Sequence, residues 1–129
     1  LLGVTGEEDY RVKAVVALNP VLDLTDMAHR EDSVTRFLGS RCQDAPNLCR
    51  AASPVSHVGR TSVPFLILHG TADQTVPYRQ AEEMVRRLRS AGVEAELFSA
   101  PDGPHTFYSG QKWFGRTLMA MQRFLRKHL

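Results

Sequence analysis

Apolar positions fall along this chain in a small number of runs. Phe65-Leu66-Ile67-Leu68 is four residues long and stands between Pro64 and Gly70. That is too short for a helix, and its lack of polar alternation predicts a strand covered on both faces, as in a parallel sheet. Val12 to Leu18, β-branched and nearly all apolar, predicts a second buried strand, ended by Asn19-Pro20. Glu94 to Ala100 alternates more strongly and predicts a third strand nearer the sheet edge.

Between and after these strands the period changes to that of a helix. Ala81, Met84, Val85 and Leu88 share one face of a helix over Pro77 to Ser90, with Pro77 in its first turn and Gly92 as its stop. A helix over Gln111 to Lys127 places Phe114, Leu118, Met121 and Leu125 on one stripe, the methionines serving as core filler. Leu1 to Gly6 reads as the end of an apolar helix closed by a glycine turn, and Glu7 to Tyr10 as a polar connector. Residues 21–62 have no long period. They carry Pro46, Pro54 and both cysteines, with short helical pieces around Ser33 to Leu38 and Ala45 to Ala51. This excursion either shapes a substrate pocket at the sheet edge or simply connects two strands. The order strand, excursion, strand, helix, strand, helix predicts an α/β fold of parallel strands with flanking helices and right-handed crossovers.

Composition changes this picture little. The 129 residues leave room for one domain or part of one, and 43% hydrophobic with 23% charged residues is ordinary for a globular chain. A net charge of +2 gives no reason to expect nucleic acid, because basic clusters such as Arg86-Arg87 and Arg126-Lys127 read as solvated helix faces. No apolar run is long enough to span a membrane.

Candidate chemistry lies in two turn-rich loops that follow consecutive strands at the same sheet edge. Asp73 is in the first and His105 in the second. Open α/β sheets bind ligands beyond the carboxyl ends of their strands. A carboxylate that accepts from one imidazole nitrogen fixes the tautomer and leaves the other nitrogen to take a proton from a nucleophile. Asp23 follows the Val12–Leu18 strand at the same edge. His69, directly before Gly70, reads as a local hydrogen-bonding residue that holds the Asp73 loop. His29, His57 and His128 read as surface or loop residues. Two cysteines and scattered histidines do not compose a zinc site, and no cofactor is called for.

The stretch His69-Gly70-Thr71-Ala72-Asp73-Gln74-Thr75-Val76-Pro77, followed by a helix, a strand and Gly103-Pro104-His105-Thr106-Phe107, resembles the carboxyl-terminal half of an α/β-hydrolase. The nearest branches are the esterase/lipase and prolyl-oligopeptidase-like ones, including esterases of acylated carbohydrates. Ala17-Leu18-Asn19-Pro20-Val21-Leu22-Asp23-Leu24 and Ala52-Ser53-Pro54 extend the likeness over essentially the whole chain. It implies a Ser-Asp/Glu-His triad in chain order, with Asp73 as acid and His105 as base. The family usually has glycine directly before the histidine, where Pro104 stands here.

The resemblance also implies a serine in a Gly-x-Ser-x-Gly elbow, and none of Ser33, Ser40, Ser53, Ser56, Ser62, Ser90, Ser99 or Ser109 has glycines on both sides at that spacing. The nucleophile and the oxyanion-hole amides are therefore expected upstream of Leu1. A two-faced strand such as Val12–Leu18 also needs neighbours on each side, so residues 1–129 are expected to be the carboxyl-terminal part of one hydrolase domain, inactive alone. The function expected of the complete protein is hydrolysis of small acyl esters through an acyl-enzyme. A prolyl-oligopeptidase-like peptidase and a non-catalytic binding module on the same scaffold are the alternatives. Cys42 and Cys49 are compatible with a local disulfide, which would point to a secreted or periplasmic setting, or with two free thiols; the little core in their segment favours the bond.

Overall fold

The computed structural model describes residues 2–5 and 12–129. The expected Gly6 turn and the Glu7–Tyr10 connector lie outside the described residues. A short helix α1 (Leu2–Thr5) precedes a parallel sheet of β1 (Val15–Leu18), β2 (Phe65–Gly70) and β3 (Ala95–Ala100) in that spatial order. Val15 to Leu18 pair with Phe65 to Leu68, and Phe65 to Gly70 pair with Ala95 to Ala100. Every residue of central strand β2 is buried.

The uninterrupted apolar run of β2 follows from the two layers it separates. Phe65 and Ile67 pack with Ala81, Met84, Val85 and Leu88 of α4 (Arg79–Ser90). Leu66 and Leu68 point the other way, toward Phe107 and the Trp113, Ala120 and Phe124 side chains of α5 (Gln111–His128). Successive strand residues face opposite sides, so a sheet with helices on both faces needs an apolar residue at every position. Each fully buried Leu or Met contributes roughly 1.5–3 kcal/mol. Gly92 ends the α4 turn with a positive φ of 78°, the left-handed conformation that glycine adopts without a steric penalty.

Two expectations need correction. First, β1 begins at Val15 rather than Val12 and is half-buried, with Leu18 exposed. It is an edge strand among the described residues, paired on one side only. Second, α5 turns a different face inward. Trp113, Thr117, Ala120 and Phe124 are buried, whereas Phe114 and Leu118 are exposed and Met121 and Leu125 only partly covered. The two stripes differ by one residue, about 100° of helix rotation, and contacts made by Trp113 decide between them. Its ring meets Phe98 edge-on at 6.1 Å and Phe107 at 6.3 Å. Thr117 tolerates burial because its hydroxyl donates to the carbonyl of Phe114 at 2.8 Å.

The excursion forms α2 (Glu31–Leu38) and α3 (Pro46–Ala52), and a Cys42–Cys49 disulfide joins the turn between them to α3. Its small core of Met27, Val34 and Cys49 closes on Val76, in the loop that leaves β2. Ser53 ties α3 to the preceding turn: its hydroxyl donates to the Cys49 carbonyl at 2.7 Å and accepts from the Leu24 amide at 2.9 Å. No helix among the described residues is long and apolar enough to cross a membrane.

Candidate active site

The loops after β2 and β3 leave the sheet side by side. The Thr71 amide donates to the Ala100 carbonyl and the Ala72 amide to that of Gly103, each at 3.0 Å. Those bonds bring Asp73 and His105 together, with His105 Nδ1 2.8 Å from Asp73 Oδ2. The carboxylate is buried, while the imidazole is 38% exposed. Its other nitrogen, Nε2, takes no part in this bond.

Asp73 is held from its other oxygen too. Oδ1 accepts from the amides of Thr75 at 2.8 Å and Val76 at 2.9 Å, a turn built on the acid's own side chain. Burial opposes ionisation of this carboxyl. The Val76 amide, the His105 imidazole and the Thr75 amide outweigh it, so Asp73 stays below the usual carboxylate range. The acid is an anion at neutral pH and orients His105 as an Nδ1–H donor.

Pro104 does not disturb this arrangement. A proline has no amide to lose, and its carbonyl accepts from the Phe107 amide at 3.0 Å, starting the short 3-10 turn before α5.

Sequence reasoning missed two residues that set the positions of these loops. Asn19, buried at the end of β1, donates through its side-chain nitrogen to the His105 carbonyl and accepts the Gly70 amide at 3.1 Å. Its φ of 43° lies in the left-handed region, which asparagine tolerates better than most residues. Gln80 is buried on the inner face of α4. It accepts from the Leu22 and Asp23 amides at 2.9 and 3.0 Å and donates to the Asp23 carbonyl at 2.9 Å. A glutamine four positions before Met84, on the apolar stripe, was the available signal.

The remaining candidates are placed as follows. Asp23 does not join the pair; it caps the turn after it, accepting from Thr25. His69 bonds Val76 locally, at 3.1 Å from its carbonyl. Two of the other histidines meet backbone carbonyls. His29 Nε2 lies 3.0 Å from the Thr75 carbonyl and His57 Nε2 2.7 Å from that of Ala51, whereas His128 only tilts against Phe124 at 4.5 Å, its Nε2 3.6 Å from Glu94 and without a hydrogen-bond partner among the described residues. An apolar groove of about 490 Å³, lined by Val21, Leu24, Met27, Val34, Phe37 and Pro54, opens on the excursion. Met27 and Val34 at its floor pack on Val76, the residue whose amide holds Asp73. No group of three or more His, Cys, Asp or Glu side chains converges as metal ligands would among the described residues.

Residues 3–88, which include β1, the excursion, β2 and the Asp73 loop, match the BD-FAE family model. The chain belongs to the BD-FAE family. This BD-FAE chain is 34% identical over 105 residues to esterase LipQ of Mycobacterium tuberculosis, covering 77% of its own length and 25% of the relative's. Its backbone superposes on a thermophilic esterase of the Planctomycetes species Thermogutta terrifontis, Est2 with propionate bound, with a TM-score of 0.72 and 27% identity. That match covers 91% of the BD-FAE chain and 43% of Est2. A truncated carbohydrate esterase from gut microbiota gives a TM-score of 0.71 at 25% identity, over 86% and 42% of the respective chains. The fold is that of the α/β-hydrolase esterases. The BD-FAE chain spans about a quarter of the length of LipQ and under half that of the two solved esterases.

Proposed function

We propose that this chain contributes the acid and base of a serine ester hydrolase, as the carboxyl-terminal part of one α/β-hydrolase domain. The observation that carries the reading is the buried Asp73 carboxylate bonded to the half-exposed His105 ring at 2.8 Å. His105 takes the proton of a serine through Nε2 while Asp73 holds the ring and stabilises the imidazolium. The serine attacks the ester carbonyl, the leaving alcohol takes the proton back from His105, and an acyl-enzyme remains. His105 then activates water to release the acid.

No Gly-x-Ser-x-Gly occurs in the 129 residues, so the nucleophile and the oxyanion-hole amides come from a segment outside this sequence. The chain alone is then inactive. The apolar groove beside the Asp73 loop suits the hydrocarbon part of a small acyl ester, and the esterase relatives support that substrate class.

The test uses the full-length protein that carries this chain, assayed with p-nitrophenyl acetate and with a chromogenic aminoacyl amide. Ester turnover that disappears in His105→Ala supports the reading. Preferential cleavage of the amide moves the protein to the peptidases. A full-length sequence with another residue in place of the elbow serine, and no turnover of either compound, makes it a binding module.

A further inference from the structure

The Asp73 carboxylate has a second imidazole beside it. His69, the penultimate residue of β2, is fully buried, and its Nε2 lies 3.1 Å from the Val76 carbonyl and 3.2 Å from Asp73 Oδ2. Both neighbours only accept, so the ring proton sits on Nε2. Nδ1 is buried with no partner among the described residues. A second proton there would create a buried cation with nothing to receive its hydrogen bond.

We propose that His69 is a positioning residue: a permanently uncharged imidazole whose Nε2–H anchors Val76 and lies along Oδ2, fixing Asp73 for His105. The proposal rests on the ester-hydrolase reading for its catalytic consequence, though not for its geometry. A carboxylate has about four lone-pair sites. Here Thr75 and Val76 amides occupy those of Oδ1, while His105 at 2.8 Å and His69 at 3.2 Å flank Oδ2. The carboxylate then has no free direction in which to rotate. The Nε2–H points mainly at the Val76 carbonyl, so its pull on Oδ2 is that of a neighbouring dipole. By holding Val76, it also holds the amide that Asp73 Oδ1 accepts.

The groups facing His69 are few. Asp73 approaches from the loop after β2, His105 lies across the same carboxylate, and Tyr78 meets the ring edge-on at 5.7 Å. Burial drives the His69 pKa down, the Val76 carbonyl and the Asp73 carboxylate oppose this, and the net direction is down. The ring stays neutral where an ordinary histidine would charge.

Two measurements on the full-length protein test this. Ring nitrogen NMR of ¹⁵N-histidine-labelled protein should show His69 as the Nε2–H tautomer without titration between about pH 5 and 8. An Nδ1–H tautomer, or a titration in that range, overturns the assignment. This measurement needs no turnover, so its outcome is separate from that of the ester-hydrolase reading. The second compares His69→Leu with His69→Gln. With Leu, Oδ2 accepts from His105 alone and stabilises the imidazolium more, so the acid limb of kcat/KM moves up by as much as about one pH unit, a tenfold loss on that limb. Gln restores an amide donor and the original profile. An equal loss at every pH in both variants is the result of a purely structural role and also overturns it.

Discussion

Gly70 and Gly103 pass each other backbone to backbone where β2 and β3 leave the sheet. A methyl group on Gly70 would overlap the Gly103 carbonyl and come within 2.7 Å of that of Pro104. Both obstacles are main chain, so neither can swing aside. This contact fixes the distance between the loops that carry Asp73 and His105. Gly70→Ala should therefore cost about 3 kcal/mol, the upper end of ordinary overpacking. Gly59→Ala, in open space, should stay within about 0.5 kcal/mol of the parent. Urea unfolding of the two variants checks the contrast, and a Gly70→Ala protein as stable as Gly59→Ala contradicts the packing argument.

Asp73→Asn keeps the shape of the acid and changes its chemistry. The amide can still accept from Thr75 and Val76, but the group facing His105 Nδ1 becomes a donor. The imidazole must then carry its proton on Nε2, where it cannot accept one from a nucleophile. In the full-length protein kcat for p-nitrophenyl acetate should fall by about 10⁴, with a lowered unfolding midpoint but a still folded enzyme, because the new amide NH2 also faces the His69 Nε2–H. Steady-state kinetics alongside thermal melts separate this from simple unfolding. Retention of a tenth or more of the parent kcat would exclude Asp73 from the triad.

Stability should fall in two steps as the solution is acidified. The pKa of His69 is depressed in the folded protein by burial. Below about pH 6.5 the unfolded chain binds a proton there that the folded chain does not, so stability declines from that point. Asp73 is also depressed: burial acts against its charge but is outweighed by the Val76, His105 and Thr75 donors. Its contribution is complete above about pH 4 and is lost as pH falls through the folded value. Urea midpoints across this range should show both declines, and His69→Gln should remove only the upper one.

The disulfide closes a loop of seven residues' separation between Cys42 and Cys49. Replacing both cysteines by serine should cost about 2 kcal/mol, chiefly through the greater freedom of the unfolded chain. The loss should concentrate in the excursion, because Cys49 belongs to the core formed with Met27, Val34 and Val76. Hydrogen exchange of α2 and α3 in parent and variant is the check. Intact mass before and after reduction shows whether the purified protein carries the bond, which would accord with an oxidising compartment.

Much of this architecture was readable in residues whose reasons are local. Phe65 to Leu68 can only be a strand covered on both faces, and Ala81, Met84, Val85 and Leu88 can share a face only on a helix. Gly92 and Pro77 punctuate the chain through their own backbone restrictions. The pairing of Asp73 with His105 followed from placing two loops at the same end of adjacent parallel strands, a consequence of chain direction.

What the sequence left open depends on partners distant along the chain. Whether Trp113 or Phe114 faces inward was decided by Phe98 and Phe107, against the stripe whose own residues are the more apolar. The half-burial of β1 reflects which neighbours lie beside it, a property its own side chains do not encode. Asn19 read only as a strand end, and Gln80 had no assigned role, until the folded chain brought Gly70, His105, Leu22 and Asp23 to them. Apolar periodicity reports burial, which each segment expresses for itself. Hydrogen bonds between loops are specified only where tertiary packing brings their donors and acceptors within reach.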